Sequence, residues 1–463
     1  LVIDPWILAY STYLGGGKHE YMSSLGVDAE GAVYVGGFTH SADFPSSRPD
    51  AREAAQVSDV FVTKISPKGD ALEYTAFFPI GCSPCGTAYA MCVDAGGSAF
   101  VCGITTTSRF PIKNAFQPAF GGGFSDGFIL KLARSGRSLV YSSFIGGNGF
   151  EEIRAVAVDA DGAAYVLGVT MSRDFPVKQP FQKAFKGGQD AFVAKVSPDG
   201  RSLAYATFLG GSAYDYAGGI AVDAAGEAHV AGYTYSKNFP VKKPVQSRLG
   251  GSDDIFVTKL SQDGRSLRYS TYLGGTRSDR NGVLALVSDG SAVVIGATSG
   301  NFPVKNAFQK TRKGSSDGVV AKLSPTGSLA FSTFLGGKGL DTLWGVAAGK
   351  DGTIYLAGCS ESPDFPRKNP YQPKLNGKSD AVLTALSGDG QSLVFSTFWG
   401  GRYHDYGRAV AVGPDGAVFI GGETNSDDFP VKGGFQGSFK GGFNDMFVSA
   451  FRLGPTARPG GWE

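Results

Sequence analysis

GGQDAFVAKVSPDGRSLAYATFLGGSAYDYAGGIAVDAAGEAHVAGYTYSKNFPVK, residues 187–242, contains short apolar runs set between turn signals. DAFVAKV (190–196) and LAYATFL (203–209) are rich in β-branched, aromatic and alternating residues, bounded by Gly, Asp, Pro and Ser, which is how strands read. SPDG (197–200) and DAAG (223–226) supply the Asp and Gly that a tight hairpin backbone tolerates. The stretch ends on Phe239-Pro240. The same dipeptide recurs as Phe44-Pro45, Phe110-Pro111, Phe175-Pro176, Phe302-Pro303, Phe365-Pro366 and Phe429-Pro430, about 64 residues apart. Self-similarity at a fixed period takes precedence over any local reading.

Each copy holds four strand-like runs. In the third copy they are IRAVAVD (153–159), AYVLGVT (164–170), DAFVAKV and LAYATFL. The first and second are joined by a tight turn, as are the third and fourth. The other two connections are longer, one running through Phe-Pro and one following a Gly-Gly pair. Four antiparallel strands repeated seven times, with no helical period, predict an all-β fold. The expected architecture is a single seven-bladed β-propeller over 1–463. Its blades fall at approximately 22–78, 86–145, 152–209, 217–273, 281–335, 342–399 and 407–453. The chain begins on a fourth-type strand, LAYSTYL (8–14), and ends on a third-type strand, DMFVSAF (445–451). The N-terminal strand therefore closes the last blade and leaves no open edge. Strand parity puts both tight turns of every blade at one end of the ring and both long connections at the other. Ligand sites favour long loops on a rigid scaffold, so the long-loop face is the one to search.

Composition agrees. Glycine reaches 69 residues, about twice the usual share, without a collagen period. Hydrophobic residues make up 42% of the chain and aromatics 12%, which excludes a disordered composition. Net charge is +2, from 43 basic and 41 acidic side chains, with no basic tract, so no nucleic-acid partner is expected. No run approaches the length of a membrane-spanning helix. The opening LVIDPWILAY lacks a signal-peptide pattern and reads as a mature chain or an excised domain of a longer precursor.

YSTYLGG (10–16), GGIAVDAAGEAHVAGYT (218–234), the DFPVK-type stretch and GGQDAFVAKVSPDG (187–200) resemble the SBBP family, the seven-bladed β-propeller repeats of bacterial surface proteins. The likeness recurs in every copy. It implies export, an extracellular or cell-surface place in the bacterial envelope, and neighbouring domains. It brings no reaction, catalytic residue or cofactor.

The repeat supplies its own control, because a residue found in all seven blades serves the blade. Asp59, Asp126, Asp190, Asp254, Asp317, Asp380 and Asp445 open every third strand and read as acceptors of backbone N–H groups. The Phe-Pro pairs read as packing elements. Two incomplete rings remain. Glu20, Glu151, Asp215, Asp279, Asp341 and Asp405 are placed in the loop before the innermost strand, around the channel mouth. They read as turn caps, with Ca²⁺ as the cation that hard oxygen ligands would suit. Lys113, Lys178, Lys242, Lys305, Lys368 and Lys432 follow the Phe-Pro pairs; Lys178, Lys242 and Lys305 represent a basic ring that could attract an acidic polymer. The bland alternative is solvated lysine.

Residues that break the repeat draw more attention. Blade two carries Cys82, Cys85, Cys92 and Cys102. Haem attachment lacks its His, a thioredoxin motif lacks its helix, and Cys102 lies too deep to join a zinc loop. With export implied by the resemblance, the expectation is two disulfides, Cys82–Cys85 and Cys92–Cys102, with free buried thiols or a metal as alternatives. Cys359 reads as a small core residue. His19, Glu20 and Tyr21 adjoin in one loop, and Tyr403, His404, Asp405 and Tyr406 in another. Blades one and seven are neighbours, so these loops form the candidate ligand cluster. His229, on a second strand, reads as structural.

No nucleophile elbow, HExxH, phosphate loop or dinucleotide fingerprint appears. The balance favours a binding or scaffold module presenting its long-loop face to a protein or polysaccharide. The alternative is an envelope polysaccharide-active enzyme, a glycoside hydrolase or lyase, with Glu151 and Glu152 or the His19 and His404 loops as candidates.

Overall fold

The computed structural model describes residues 6–47, 59–80 and 87–454. Their 28 strands form seven four-stranded antiparallel sheets, each in simple meander order except the last. Blade three shows the pattern, with strands Glu151–Val158, Ala164–Thr170, Asp190–Val196 and Leu203–Leu209. In blade seven, Trp6–Leu14 pairs antiparallel with Asp445–Leu453 and supplies the fourth strand. The seven-bladed, N-terminally closed ring read from the sequence is the fold.

Burial follows from what the strands must cover. A four-stranded sheet buries neither face alone, so each blade packs on the next. Among the described residues there are seven core clusters, and each draws on two consecutive blades. Tyr165, Leu167 and Val193 of blade three, for instance, pack with Ile220, Val230 and Phe256 of blade four. All seven Phe-Pro phenylalanines are buried. Phe175 lies 4.4 Å from Phe192, centroid to centroid, and Phe429 the same from Phe447. Each connection thereby roofs its own third strand.

The course of that connection differs from the sequence expectation. After Phe-Pro it turns down the outside of the blade and bridges the fourth strand, at Lys178 with Ala206 and Gln182 with Phe208. This covers the outer sheet edge. The Lys178 ammonium donates to the Leu203 carbonyl, Lys242 to Leu267 O at 2.6 Å and Lys305 to Leu329 O at 2.7 Å. Those carbonyls begin the fourth strands, next to the tight turns. The lysine ring therefore lies on the perimeter and clasps the edge strand; it does not face the long-loop end.

The incomplete acidic ring is also relocated. Glu20, Glu151, Asp215, Asp279, Asp341 and Asp405 are not loop residues around the mouth. Each is the first residue of an innermost strand and is buried. Asp215 accepts from Gly211 N at 2.8 Å, from Ser236 Oγ at 3.0 Å and from Thr234 Oγ1. Thr234 is its cross-strand partner, so the carboxylate caps the end of the first hairpin. The third-strand aspartates behave as expected: Asp190 accepts from the backbone N–H groups of Lys186 and Gly187 at 3.0 Å each.

Candidate functional site

Every innermost strand carries a β-bulge at the same place. The register shifts between Met22 and Ser24, Ala88 and Ala90, Ile153 and Ala155, Ala217 and Gly219, Arg280 and Val283, Leu343 and Gly345, and Gly407 and Ala409. A bulge leaves a residue unpaired and re-aims its side chain. Here those residues are Ser23, Tyr89, Arg154, Gly218, the pair Asn281-Gly282, Trp344 and Arg408. A cavity of about 250 Å³, lined by all seven innermost strands and including Tyr89, Arg154, Trp344 and Arg408, marks the channel axis.

Towards the long-connection end the channel opens into a second cavity of about 270 Å³. Its walls include Glu152, Arg154, Tyr216, Tyr233, Asn281 and Trp344. The three arginines alternate with aromatic blades. Arg154 of blade three lies 4.0 Å over the Tyr89 ring of blade two. Arg280 of blade five lies 5.9 Å from both Tyr233 and Tyr235 of blade four. Arg408 of blade seven lies 4.3 Å over Trp344 of blade six and 5.4 Å from Tyr406. The rings brace one another: Tyr216 and Tyr233 stack at 4.5 Å and 5°, and Tyr21 and Phe38 at 4.6 Å. Cation–π contact of this kind holds a guanidinium plane in place at about 0.5–2 kcal/mol each.

Each arginine also has a carboxylate behind it. Glu152 accepts from Arg154 Nε, and Asp253 from Arg280 Nε at 2.8 Å. Glu423 accepts from an Arg408 terminal nitrogen at 3.0 Å, leaving Arg408 Nε buried without an acceptor. Burial raises the Glu423 carboxyl above its ordinary range.

Of the residues selected by sequence, Tyr406 lies against Arg408 and Trp344, and Tyr21 stacks on Phe38. Glu20 and Asp405 are the buried caps described above. The two histidines belong to different blade junctions. His19 accepts from Phe443 N at 3.0 Å, across the seven–one junction, and packs edge-on against His40. His404 bonds Ser379 Oγ at 2.9 Å, across the six–seven junction, and stacks on Tyr406. Tyr403 is exposed beneath the Arg402 guanidinium. His229 is structural: it takes the place of Tyr165, bonding Asp223 at 3.2 Å as Tyr165 bonds Asp159. Glu151 is a cap, accepting from Gly147 N at 2.9 Å and Thr170 at 2.6 Å, while Glu152 is held by Arg154.

Cys82 and Cys85 lie outside the described residues. Cys92 and Cys102 are free thiols, which corrects the expected bridge. Register supplies the reason: Cys92 faces Phe100 and Cys102 faces Ala90, so the two are diagonal neighbours on the hairpin. Diagonal Cβ atoms stand well beyond the spacing a disulfide needs. Burial pushes the Cys92 thiol up to about 12. Among the described residues no group of three His, Cys, Asp or Glu is placed to hold a metal ion.

Tyr89, Arg154, Arg280, Trp344 and Arg408 were missed by sequence. For four of them a signal existed, since the fourth position of the first strand reads Ser, Tyr, Arg, Gly, Gly, Trp, Arg from blade to blade; Arg280 stands two places earlier, paired with Ala297. Nothing in the sequence showed that a bulge turns that position inward.

Residues 204–240, from the fourth strand of blade three to the Phe-Pro of blade four, match the family SBBP, described as a beta-propeller repeat. The chain carries the SBBP repeat. A curated relative, the regulatory protein FlaEY of Caulobacter vibrioides, is 28% identical over 183 residues, which span 38% of this chain and 19% of that protein. Among solved structures, the Neurospora crassa Pan2 WD40 domain is 9% identical with a TM-score of 0.45, covering 96% of each chain. A europium-containing methanol dehydrogenase is 10% identical with a TM-score of 0.42, covering 96% of this chain and 93% of its own. The phage phi92 endosialidase is 10% identical with a TM-score of 0.42, over 99% of this chain and 71% of that one. Structural likeness at this level carries no functional argument for the SBBP-repeat chain.

Proposed function

We propose that this SBBP-repeat propeller is a non-catalytic binding module, acting outside the cell, that receives a saccharide chain at the long-connection mouth of its channel. One observation carries the reading. The carboxylates repeated from blade to blade are buried and committed to the blades' own hydrogen bonds, whereas the side chains that differ gather at the mouth. The collar mixes ring faces with guanidinium–carboxylate pairs. Pyranose rings offer C–H faces for stacking, and their adjacent hydroxyls both donate and accept. Exposed Phe124, Phe443, Tyr214 and Tyr403, on the long connections at the same end, extend the aromatic surface. A folded protein partner would need a broader surface than this funnel provides. Binding is favoured over catalysis because Glu151 is sealed in a cap beside the equally buried Asp126 and Glu152 is held by Arg154, so that among the described residues no open pair of carboxyl groups converges at the mouth.

The test is a glycan array of the purified chain, followed by titration of any oligosaccharide bound and by chromatography of that oligosaccharide after long incubation. The expected result is binding that falls at least tenfold in Trp344→Ala at unchanged thermal midpoint, with the oligosaccharide recovered intact. Cleavage products, or binding indifferent to Trp344, would overturn the reading.

A further inference from the structure

The three ion pairs of the collar are oriented alike. Behind each arginine the carboxylate is buried: the Glu152, Asp253 and Glu423 side chains are 6%, 0% and 7% exposed. In front, the arginines remain open: Arg154 at 42%, Arg280 at 51% and Arg408 at 32%. In each pair the negative end is buried against the blades and the positive end is open, with Arg154 lining the mouth and Arg408 the channel below it, although the pairs sum to zero charge. A low-dielectric wall focuses such a field into the opening. Guanidinium groups carry five donors each in a fixed plane, and one carboxylate cannot occupy them all. Arg408 spends a single terminal nitrogen on Glu423, at 3.0 Å.

We infer that the saccharide is an acidic one, and that the carboxylates on its sugar rings are read by Arg154, Arg280 and Arg408 from alternate blades. This rests on the saccharide-binding reading above and names the ligand class for that site. The rings stacked against each guanidinium fix its plane before the ligand arrives, which lowers the ordering cost of a planar carboxylate contact. Blades two, four and six contribute Tyr89, Tyr233 and Trp344; blades three, five and seven contribute the cations. An alternating collar of this kind suits a chain whose charged and stacking groups also repeat. Lysines take no part, since Lys178, Lys242 and Lys305 are bonded to carbonyls on the perimeter.

The probes are oligogalacturonate, hyaluronan oligosaccharides and oligosialate, each set beside its carboxyl-reduced counterpart, titrated calorimetrically into the wild-type chain. At least one acidic probe should bind, and its reduced counterpart at least tenfold more weakly. Affinity should fall with added salt. Arg280→Gln and Arg408→Gln should each weaken the acidic probe tenfold or more, and the reduced probe little, while Lys242→Gln changes neither. Because Arg408 is partly buried, Arg408→Lys and the thermal midpoint of each variant separate lost recognition from lost folding. If a reduced or neutral probe binds as tightly as its acidic parent, the anion-reading collar is overturned and the saccharide reading stands. Binding only to sulfated glycans likewise removes the carboxylate assignment. If no saccharide binds, both readings fall.

Discussion

Cys92 and Cys102 illustrate what a side chain inherits from its place in a repeat. Counterpart blades hold Ala157 with Leu167 and Ala221 with Ala231 there, small apolar residues at a blade junction. Cys102 joins the cluster between blades two and three, with Cys92 packed against it. A thiol so placed behaves as a compact hydrophobe. Burial drives the Cys359 thiol up to about 12 and Cys102 upwards as well, which suppresses the reactive thiolate. In the native chain Cys92, Cys102 and Cys359 should therefore resist alkylation at pH 8. After unfolding in denaturant without reductant, alkylation followed by peptide mapping should find Cys92, Cys102 and Cys359 all modified. Cys92 and Cys102 both unmodified would restore the hairpin bridge. The thiols and the arginines were not equally legible. An odd residue is visible in an internal alignment, as blade two's cysteines were. Its direction is not, because one bulged residue changes which face a side chain joins. Arg154 and Trp344 therefore do not stand out, and blade adjacency groups His19 with His404 although each is bonded across its own junction.

At the scale of the element, the recurring unit is the blade junction more than the blade. Six junctions bring a third-strand carboxylate close to the carboxylate that opens the next innermost strand. The first glycine of the Gly-Gly pair sits between them. A Cβ on Gly210 would stand 2.7 Å from both Asp190 Cγ and Asp215 Oδ2. Burial, first, and the neighbouring carboxylate raise Asp126, Asp215, Asp279, Asp405 and Asp445 to about 7; Asp190 rises to about 6. A raised carboxyl keeps its proton in the folded chain where the unfolded chain has released it. Its stabilising contribution is complete below the ordinary carboxyl value near 4 and is lost as pH climbs towards 7. Groups of two kinds work the other way. Burial lowers His40 and His229, which favours the fold above about 6.5. Asp223, lowered to about 2 beside Lys259 and His229, contributes at any pH above about 4. The carboxyl pairs outnumber the histidines, so the thermal midpoint at pH 5 should exceed that at pH 8 by several degrees at constant ionic strength. Asp126→Asn, which removes one charge from the pair with Glu151, should flatten that slope. A midpoint that rises from pH 5 to pH 8 would refute the shared-proton junction. The strands and turns of this unit could be read from alternation and from Asp-Gly spacing. The pairing could not, because its two carboxyls come from different blades and meet only when the ring closes.

At the scale of the molecule, closure depends on one strand. Trp6–Leu14 contributes to two of the seven cores: Trp6, Leu8 and Tyr13 to the cluster between blades six and seven, Tyr10 and Leu14 to that between seven and one. Its polar groups are committed too. Tyr13 donates to Ser426 O at 2.8 Å and accepts from Phe429 N at 3.0 Å, and Ser11 exchanges two backbone bonds with Lys432. Burying five such side chains is worth about 1.5–3 kcal/mol each. The sum is comparable to the roughly 5–15 kcal/mol by which a folded protein exceeds its unfolded state. Removing the strand also uncovers the full edge of Asp445–Leu453, whose unpaired backbone groups invite association with another chain. A chain lacking residues 1–14 should therefore lose the cooperative transition of the full chain, or recover it only as an oligomer. Calorimetry with light scattering would show which. A synthetic peptide of residues 6–14, added back, should restore a monomeric ring, because the vacant place in blade seven accepts that sequence in one register. A truncated chain that remains monomeric and melts within a few degrees of the full chain would show that the ring holds without its clasp.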